Sequence, residues 1–389
     1  MPPSIKAGIA VSLTGQFRNQ GRQALAGLQA WAGDVNRAGG LAGAGRPRPV
    51  SVLHYDDASL ADGARQATRR LVVQDRVDLL FGPYSSGLAR AAAAVAAEHG
   101  RTLWNQGGAA GEIHQSGRRV VGILTPAGQY LAALPGLVRR AAPEAATFAL
   151  VRCSAGAFPR QVSDGLEAAA LALGFRKTLH REYPPGATDF STILDQVEAV
   201  RPDLLLAVGR IRHDVALADG VSRRRPGGRM PRVTAVVAAP VREFQAALGD
   251  RVEGFIGPSQ WEPPPERPAD GAFPPGYAPD YGPAAAQVMR SLERESRRAG
   301  GLAVDYPMAQ AYAAGLVAQR CVAAAGALED AALWQAATGL DFSTFYGRFR
   351  IDPETGQQVG RSVAIIQWQG GRKAIIWPPE QYQAAIALG

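Results

Sequence analysis

One feature limits the fold more than any other: short apolar runs alternate with amphipathic stretches, and the alternation occurs twice. Residues 5–13 form a continuous apolar run of the kind a buried strand shows. Residues 21–37 place Leu25, Leu28, Trp31 and Val35 at helical spacing. Residues 50–55 alternate as a strand, 61–74 turn Leu71 and Val72 inward as a helix, and 77–81 read as a third strand. A helix over 86–99 and a strand over 101–104 follow. Strand, helix, strand in this rhythm predicts a parallel sheet with helices on both faces.

The rhythm then restarts. Strands are expected over 148–152, 178–183, 204–208 and 233–237, with helices over 161–173, 190–200, 214–222 and 241–248 between and after them. A Pro-rich stretch, 258–283, follows, a length of loop that marks a boundary or a function. Helices are expected over 284–298, 308–325 and 331–338. At the end, strands 346–351 and 362–368 are read as a hairpin turned by Asp352-Pro353-Glu354-Thr355-Gly356, with a further strand over 374–377.

The chain has 389 residues, 47% of them hydrophobic, enough for two domains that each bury a core. No stretch approaches the roughly 20 apolar residues of a membrane helix. The net charge of +8 raises the question of nucleic acid. Only Lys6, Lys177 and Lys373 are lysines, and the densest basic cluster, Arg223-Arg224-Arg225 with Arg229, is broken by Pro226, Gly227 and Gly228 as a surface loop is. A solvated loop is the expectation, with no nucleic acid as partner. Cys153 and Cys321 stand far apart and read as two buried free thiols. The N-terminus runs directly into a strand, with no export signal ahead of it; either such a signal has been removed or the protein works in the cytoplasm.

The opening, Gly8-Ile9-Ala10-Val11-Ser12-Leu13-Thr14-Gly15, resembles that of the Leu/Ile/Val-binding proteins, the branched-chain amino-acid type of periplasmic solute-binding protein. Gly39-Gly40, Tyr55-Asp56-Asp57-Ala58, Gly82-Pro83-Tyr84-Ser85-Ser86, Thr344-Phe345-Tyr346-Gly347 and Gln367-Trp368-Gln369 continue the likeness in the same order over nearly the whole chain. The resemblance implies an α/β fold of two doubly wound lobes joined by three hinge crossings. One lobe would hold 1–123 and 256–345, the other 124–255 and 346–389. Ligand would bind between the lobes, hinge closure would trap it, and an ABC transporter permease would receive it. That implies an extracytoplasmic protein, periplasmic or at the cell surface, without cofactor, metal or catalytic residues.

The resemblance also implies a set of ligand-binding positions. Ser85 and Ser86 open a helix, where a hydroxyl and free backbone N–H groups can hold a carboxylate. Gln106, Gly107, Gly108 and Ala109 follow a strand, and the glycines let backbone approach a ligand. Amino-acid binders carry a hydroxyl at the place of Ala109, and an acid to pair the ligand ammonium at the place of Ala238. Both are missing here, and a buried ammonium without an anion is costly. Phe158 and Arg210 fall at aromatic positions of the family, and Gln20, Trp261 and Tyr306 are expected to flank the site. Arg210 could grip a carboxylate with two parallel bonds. A carboxylate without an ammonium, with an aromatic or other apolar far end, is the ligand these residues suit.

Other classes fit less well. His54, His99, His114, His180 and His213 show no metal-ligand spacing, and Gly82–Gly87 lacks the spacing of a nucleophile elbow. A cytoplasmic ligand sensor of the same fold, acting through a partner protein, is the alternative.

Overall fold

The computed structural model describes residues 3–43, 45–115, 117–263, 279–381 and 383–388. The middle of the expected Pro-rich boundary loop, 264–278, lies outside them. The chain divides into two compact units, Met1–Pro126 with Trp261–Arg361, and Ala127–Gln260 with Ser362–Gly389.

The first unit opens with β1 (Ile5–Val11), buried at every residue but Lys6, as a strand covered on both faces must be. Helix α1 (Arg18–Arg37) buries Leu28, Trp31 and Val35 as its spacing predicts, while Leu25 is only half-buried. There follow β2 (Val50–Asp56), α2 (Ala61–Arg69) with one π-helical turn at its end (Arg70–Gln74), β3 (Leu79–Phe81), α3 (Ser86–Glu98), β4 (Leu103–Asn105) and β5 (Val120–Gly122). All five strands are parallel, in the order β2-β1-β3-β4-β5.

In the second unit, α4 (Leu134–Ala141) leads into β6 (Thr147–Cys153), α5 (Ala157–Ala172), β7 (Arg176–Tyr183), α6 (Ser191–Val200), β8 (Leu204–Val208), α7 (Ile211–Arg224), β9 (Val233–Val236), α8 (Arg242–Leu248) and β10 (Phe255–Ser259). The parallel strands run β10-β9-β8-β6-β7, which is the order of the first sheet over again. In an open α/β sheet of this order, ligands bind beyond the strand carboxyl ends where the order reverses. That place lies between β1 and β3 in one unit, and between β6 and β8 in the other.

The chain returns to the first unit with α9 (Ala285–Arg298), α10 (Tyr306–Ala325), α11 (Asp330–Gly339) and the pair β11 (Phe342–Thr344) and β12 (Gly347–Phe349). It ends in the second unit with β13 (Ala364–Gln369) and β14 (Arg372–Trp377). Helices α9 and α10 pack on α1 and complete its burial.

The architecture matches the alternation read from the sequence, but β5, α4, β10 and β11 are missing from that reading, and the pairing at the end of the chain and the points of division differ. The expected hairpin between 346–351 and 362–368 does not form. Instead β12 pairs back with β11, and β13 pairs antiparallel with β10 and β14. The units divide at Pro126, Gln260 and Arg361 rather than near 123, 255 and 345. The reason is hydrogen bonding: residues 254–258, which the resemblance implies as a crossing, largely belong to β10 of the seven-stranded sheet, and β12 is held by β11 in the first unit. Cys153 and Cys321 are buried free thiols, as expected. Among the described residues no single helix is long and apolar enough to cross a membrane.

Candidate functional site

In the first unit the reversal point is built from the loops after β1 and β3. Phe17 and Tyr84 meet edge to face there, with ring centroids 5.8 Å apart. The Tyr84 and Tyr306 hydroxyls are hydrogen-bonded at 2.7 Å, which ties the start of α10 to the same place. All three rings are half-buried.

Ser85 and Ser86 stand beside Tyr84 at the head of α3. Ser85 adopts φ 84°, a left-handed conformation that costs a non-glycine residue energy. It caps the helix by accepting from the Leu88 amide at 3.4 Å, and its own amide donates to the Gly107 carbonyl at 2.9 Å. The Ser86 hydroxyl accepts two amides, Ala109 at 3.2 Å and Ala110 at 3.1 Å. With its lone pairs engaged, Ser86 Oγ has its proton left to give. Neither serine proton has an acceptor among the described residues. Both hydroxyls are half-buried beside helix amides that carry partial positive charge.

The loop after β4 packs closely against the chain around the head of α3. A Cβ on Gly107 would sit 2.2 Å from the Pro83 carbonyl oxygen, and one on Gly108 would sit 2.4 Å from Ile113 Cδ1. The close approach that these glycines allow is to the protein's own chain. Asn105 closes the loop on itself, donating to the Gly108 carbonyl at 2.7 Å and accepting its amide at 3.0 Å. Gln106 is fully buried, donates to the Gly82 carbonyl at 2.8 Å and accepts from Gln310 at 3.3 Å, so its amide is spent in the core. Gln20 is buried in α1. Trp261 is a core residue, edge-on to Phe345 at 6.0 Å. Of the expected first-unit positions, Ser85, Ser86 and Tyr306 stand part-exposed at the reversal point; Gly107, Gly108 and Ala109 support them from beneath.

In the second unit, Phe158 and Arg210 lie on the two loops that flank the β6/β8 reversal point, and both are half-buried. Phe158 meets Tyr130 edge to face at 5.4 Å. The Arg210 amide donates to His213 Nδ1 at 3.3 Å, and His213 Nε2 lies 3.0 Å from the Pro185 carbonyl and 3.3 Å from Arg212 Nε. Those partners fix a neutral imidazole, and burial pushes its pKa down. Ala238 brings no acid of its own, but one reaches it. Asp214, in the first turn of α7, accepts the Ala238 amide on Oδ2 at 2.9 Å. Arg210 and Ala238 thus attach to the same helical turn. Tyr84, Phe17, Tyr130 and Asp214 escape the sequence reading. Tyr84 lies within the Gly82–Ser86 motif and had a signal there; Asp214 reads as an ordinary polar residue at a helix start.

A profile of the periplasmic binding protein family matches residues 4–373. The chain belongs to that family, which is one of extracytoplasmic solute-binding proteins and not of enzymes. Its two units are the two lobes of the type I periplasmic-binding fold. Among solved structures, the leucine-binding protein LivK of Thermotoga maritima is similar at 18% identity and TM-score 0.77, over 95% of this chain and 97% of that one. An ABC-transporter solute-binding protein of R. palustris, in complex with benzoate, is similar at 18% and 0.75, over 100% and 98%. LivJ of Streptococcus pneumoniae, in complex with isoleucine, is similar at 17% and 0.76, over 95% and 98%.

Proposed function

We propose that this protein captures a small organic carboxylate that lacks an α-ammonium group, with an aromatic or other apolar body, and delivers it to the permease of an ABC transporter. The observation that carries the reading is the head of α3. Two serine hydroxyls with protons to donate, beside the first-turn amides of α3, suit an anion. The adjoining Phe17, Tyr84 and Tyr306 rings suit an apolar body against them. An amino-acid zwitterion needs a second, anionic pocket. The acid expected at Ala238 is missing, and Asp214, which reaches that place, is fully buried with burial pushing its carboxyl toward the neutral form. The similarity to a benzoate complex as well as to amino-acid binders agrees with a family scaffold able to carry either cargo.

Isothermal titration tests this with benzoate, 4-hydroxybenzoate, leucine and isoleucine. The aromatic acids are expected to bind at least about tenfold more tightly than the amino acids, a difference of about 1.4 kcal/mol. Tight leucine binding with no response to the acids would sink the reading. Ser85→Ala removes one donor and is expected to weaken benzoate about tenfold, the size of a charge-assisted hydrogen bond. Arg210→Ala asks whether the second unit contributes a cation; weakened benzoate binding with unchanged thermal stability is the expected result.

A further inference from the structure

Ser85 stands in a backbone conformation that its residue type avoids. Its φ of 84° and ψ of 144° lie in an extended region of positive φ that is nearly reserved for glycine. Helix α5 begins from almost the same conformation, φ 94° and ψ 154°, and there the residue is Gly156. The chain has a glycine where only the turn is needed, and a serine where the turn also carries a hydroxyl of the candidate site.

Three struts hold the loop that carries Ser85. The Ser85 amide donates to the Gly107 carbonyl at 2.9 Å. The Tyr84 hydroxyl is hydrogen-bonded to that of Tyr306 at 2.7 Å. The Gly82 carbonyl accepts from Gln106 Nε2 at 2.8 Å. Behind the third strut runs a buried relay. A carbonyl can only accept, so Gln106 meets Gly82 with its NH2 and turns its oxygen to Gln310. Gln310 Nε2 donates to that oxygen at 3.3 Å, and Gln310 Oε1 accepts from the Tyr346 hydroxyl at 3.4 Å. All three relay residues are buried.

Two of the struts lead back to one face of α10. Tyr306 and Gln310 are four residues apart, about one turn of that helix. Between them the Met308 carbonyl packs against α1 so closely that a Cβ on Gly27 would lie 2.0 Å from its oxygen. The struts thus stand on a firmly seated element, as supports of a binding group should.

We propose that Tyr306 and Gln310 are positioning residues for ligand capture: from α10 they hold the loop after β3 so that Ser85 keeps its positive-φ conformation, with its hydroxyl set for the ligand anion. This rests on the anion site proposed above at the head of α3. When a strut is lost, Ser85 relaxes toward ordinary backbone angles and its hydroxyl leaves its place beside the α3 amides. The group that meets the ligand is then still present, but no longer placed.

Tyr306→Phe keeps the ring and removes one strut; Gln310→Met keeps the volume and removes the other. Amide hydrogen exchange on the unliganded full chain reads the loop directly. In Tyr306→Phe the amides of Ser85 and Leu88 are expected to exchange about fivefold faster, the size of one net hydrogen bond, while those of β1 stay unchanged. Isothermal titration with benzoate reads the consequence. Tyr306→Phe is expected to weaken benzoate about fivefold in the wild-type background and less than about twofold in Ser85→Gly, because glycine adopts the conformation unaided. Gln310→Met is expected to follow the same pattern; if it does not fold, Tyr306→Phe decides alone. An equal loss in both backgrounds overturns the proposal, since the Tyr306 hydroxyl would then be touching the ligand itself. Unchanged exchange at Ser85 and Leu88 in Tyr306→Phe overturns it too, and so does unchanged affinity. Benzoate that fails to bind the wild type counts against the proposed ligand class instead, and the exchange rates still decide whether α10 holds Ser85.

Discussion

The half-buried imidazole of His114 sets part of the acid stability of the first unit. His114 Nδ1 lies 3.2 Å from the Thr355 carbonyl, and Nε2 lies 3.4 Å from Asn105 Nδ2. The carbonyl can only accept and the amide nitrogen can only donate, so the ring is neutral with its proton on Nδ1. Burial pushes its pKa down to about 4. Between pH 6.5 and 4 the unfolded chain takes up a proton that the folded chain refuses. Stability that is full above pH 6.5 should fall by about 3 kcal/mol over that window. His114→Gln should flatten this part of the profile, measured by denaturant unfolding at pH 7, 5.5 and 4.5. Equal falls in both chains would show that other groups carry the effect. At this scale the sequence was only partly legible. The serines at 85 and 86 announce a helix start, and Gly107 and Gly108 announce a tight loop. What packs against the glycines is not written in the local sequence: Pro83 and Ile113 stand where a side chain would lie. The carboxyl of Asp214 reaches Ala238 across 24 residues, a juxtaposition made by the sheet and invisible to spacing.

Between elements, α1 and α10 cross in close contact. A Cβ on Gly27 would lie 2.0 Å from the Met308 carbonyl oxygen, and one on Gly315 would lie 2.2 Å from the Trp31 ring. Asp34 then clamps the pair, accepting from Tyr312 at 2.7 Å and from Ser291 on α9 at 3.0 Å. Gly315→Ala must push Trp31 out of its place and is expected to cost about 1–3 kcal/mol. Trp31 fluorescence should change with it, because the indole Nε1 donates to Gln319 one turn away at 3.1 Å. A chain of wild-type stability would mean that the two helices can separate freely. Elements with strong periodicity, α1, α10 and β1, are the ones the sequence shows plainly. β10 is misread for a physical reason. Its sequence, Phe255-Ile256-Gly257-Pro258-Ser259, carries two strand breakers. The structure accommodates them because parallel pairing with β9 covers only Phe255 and Ile256, and Pro258 lies where β13 takes over. The hairpin expected at 346–368 fails likewise because β11, three residues long, is too short to show as a strand and yet captures β12.

For the whole molecule, the two-fold restart of the strand–helix rhythm is what makes the sequence readable, since both sheets follow one strand order. The net charge of +8 acts at this scale too. The basic cluster does not present a row of bare guanidinium groups. Arg223 pairs with Asp219, Arg224 with Asp195 and Glu198, and Arg225 lies over the Phe255 ring at 4.2 Å. A patch so neutralised is poorly suited to the phosphate backbone of nucleic acid, whose binding depends on releasing counterions to unpaired cations. The excess charge acts instead as a diffuse positive field, which draws small anions and is screened beyond about 8 Å at 0.15 M salt. A carboxylate ligand should therefore associate faster at low ionic strength. Stopped-flow tryptophan fluorescence with benzoate at 20 mM and 500 mM salt would read this directly. The association rate should fall a few-fold across that range while the dissociation rate stays nearly constant, because long-range charge steers the encounter and short-range contacts hold the complex. An association rate indifferent to salt, with dissociation carrying any change, would assign the whole of anion recognition to the local donors at Ser85 and Ser86 and none of it to the net charge.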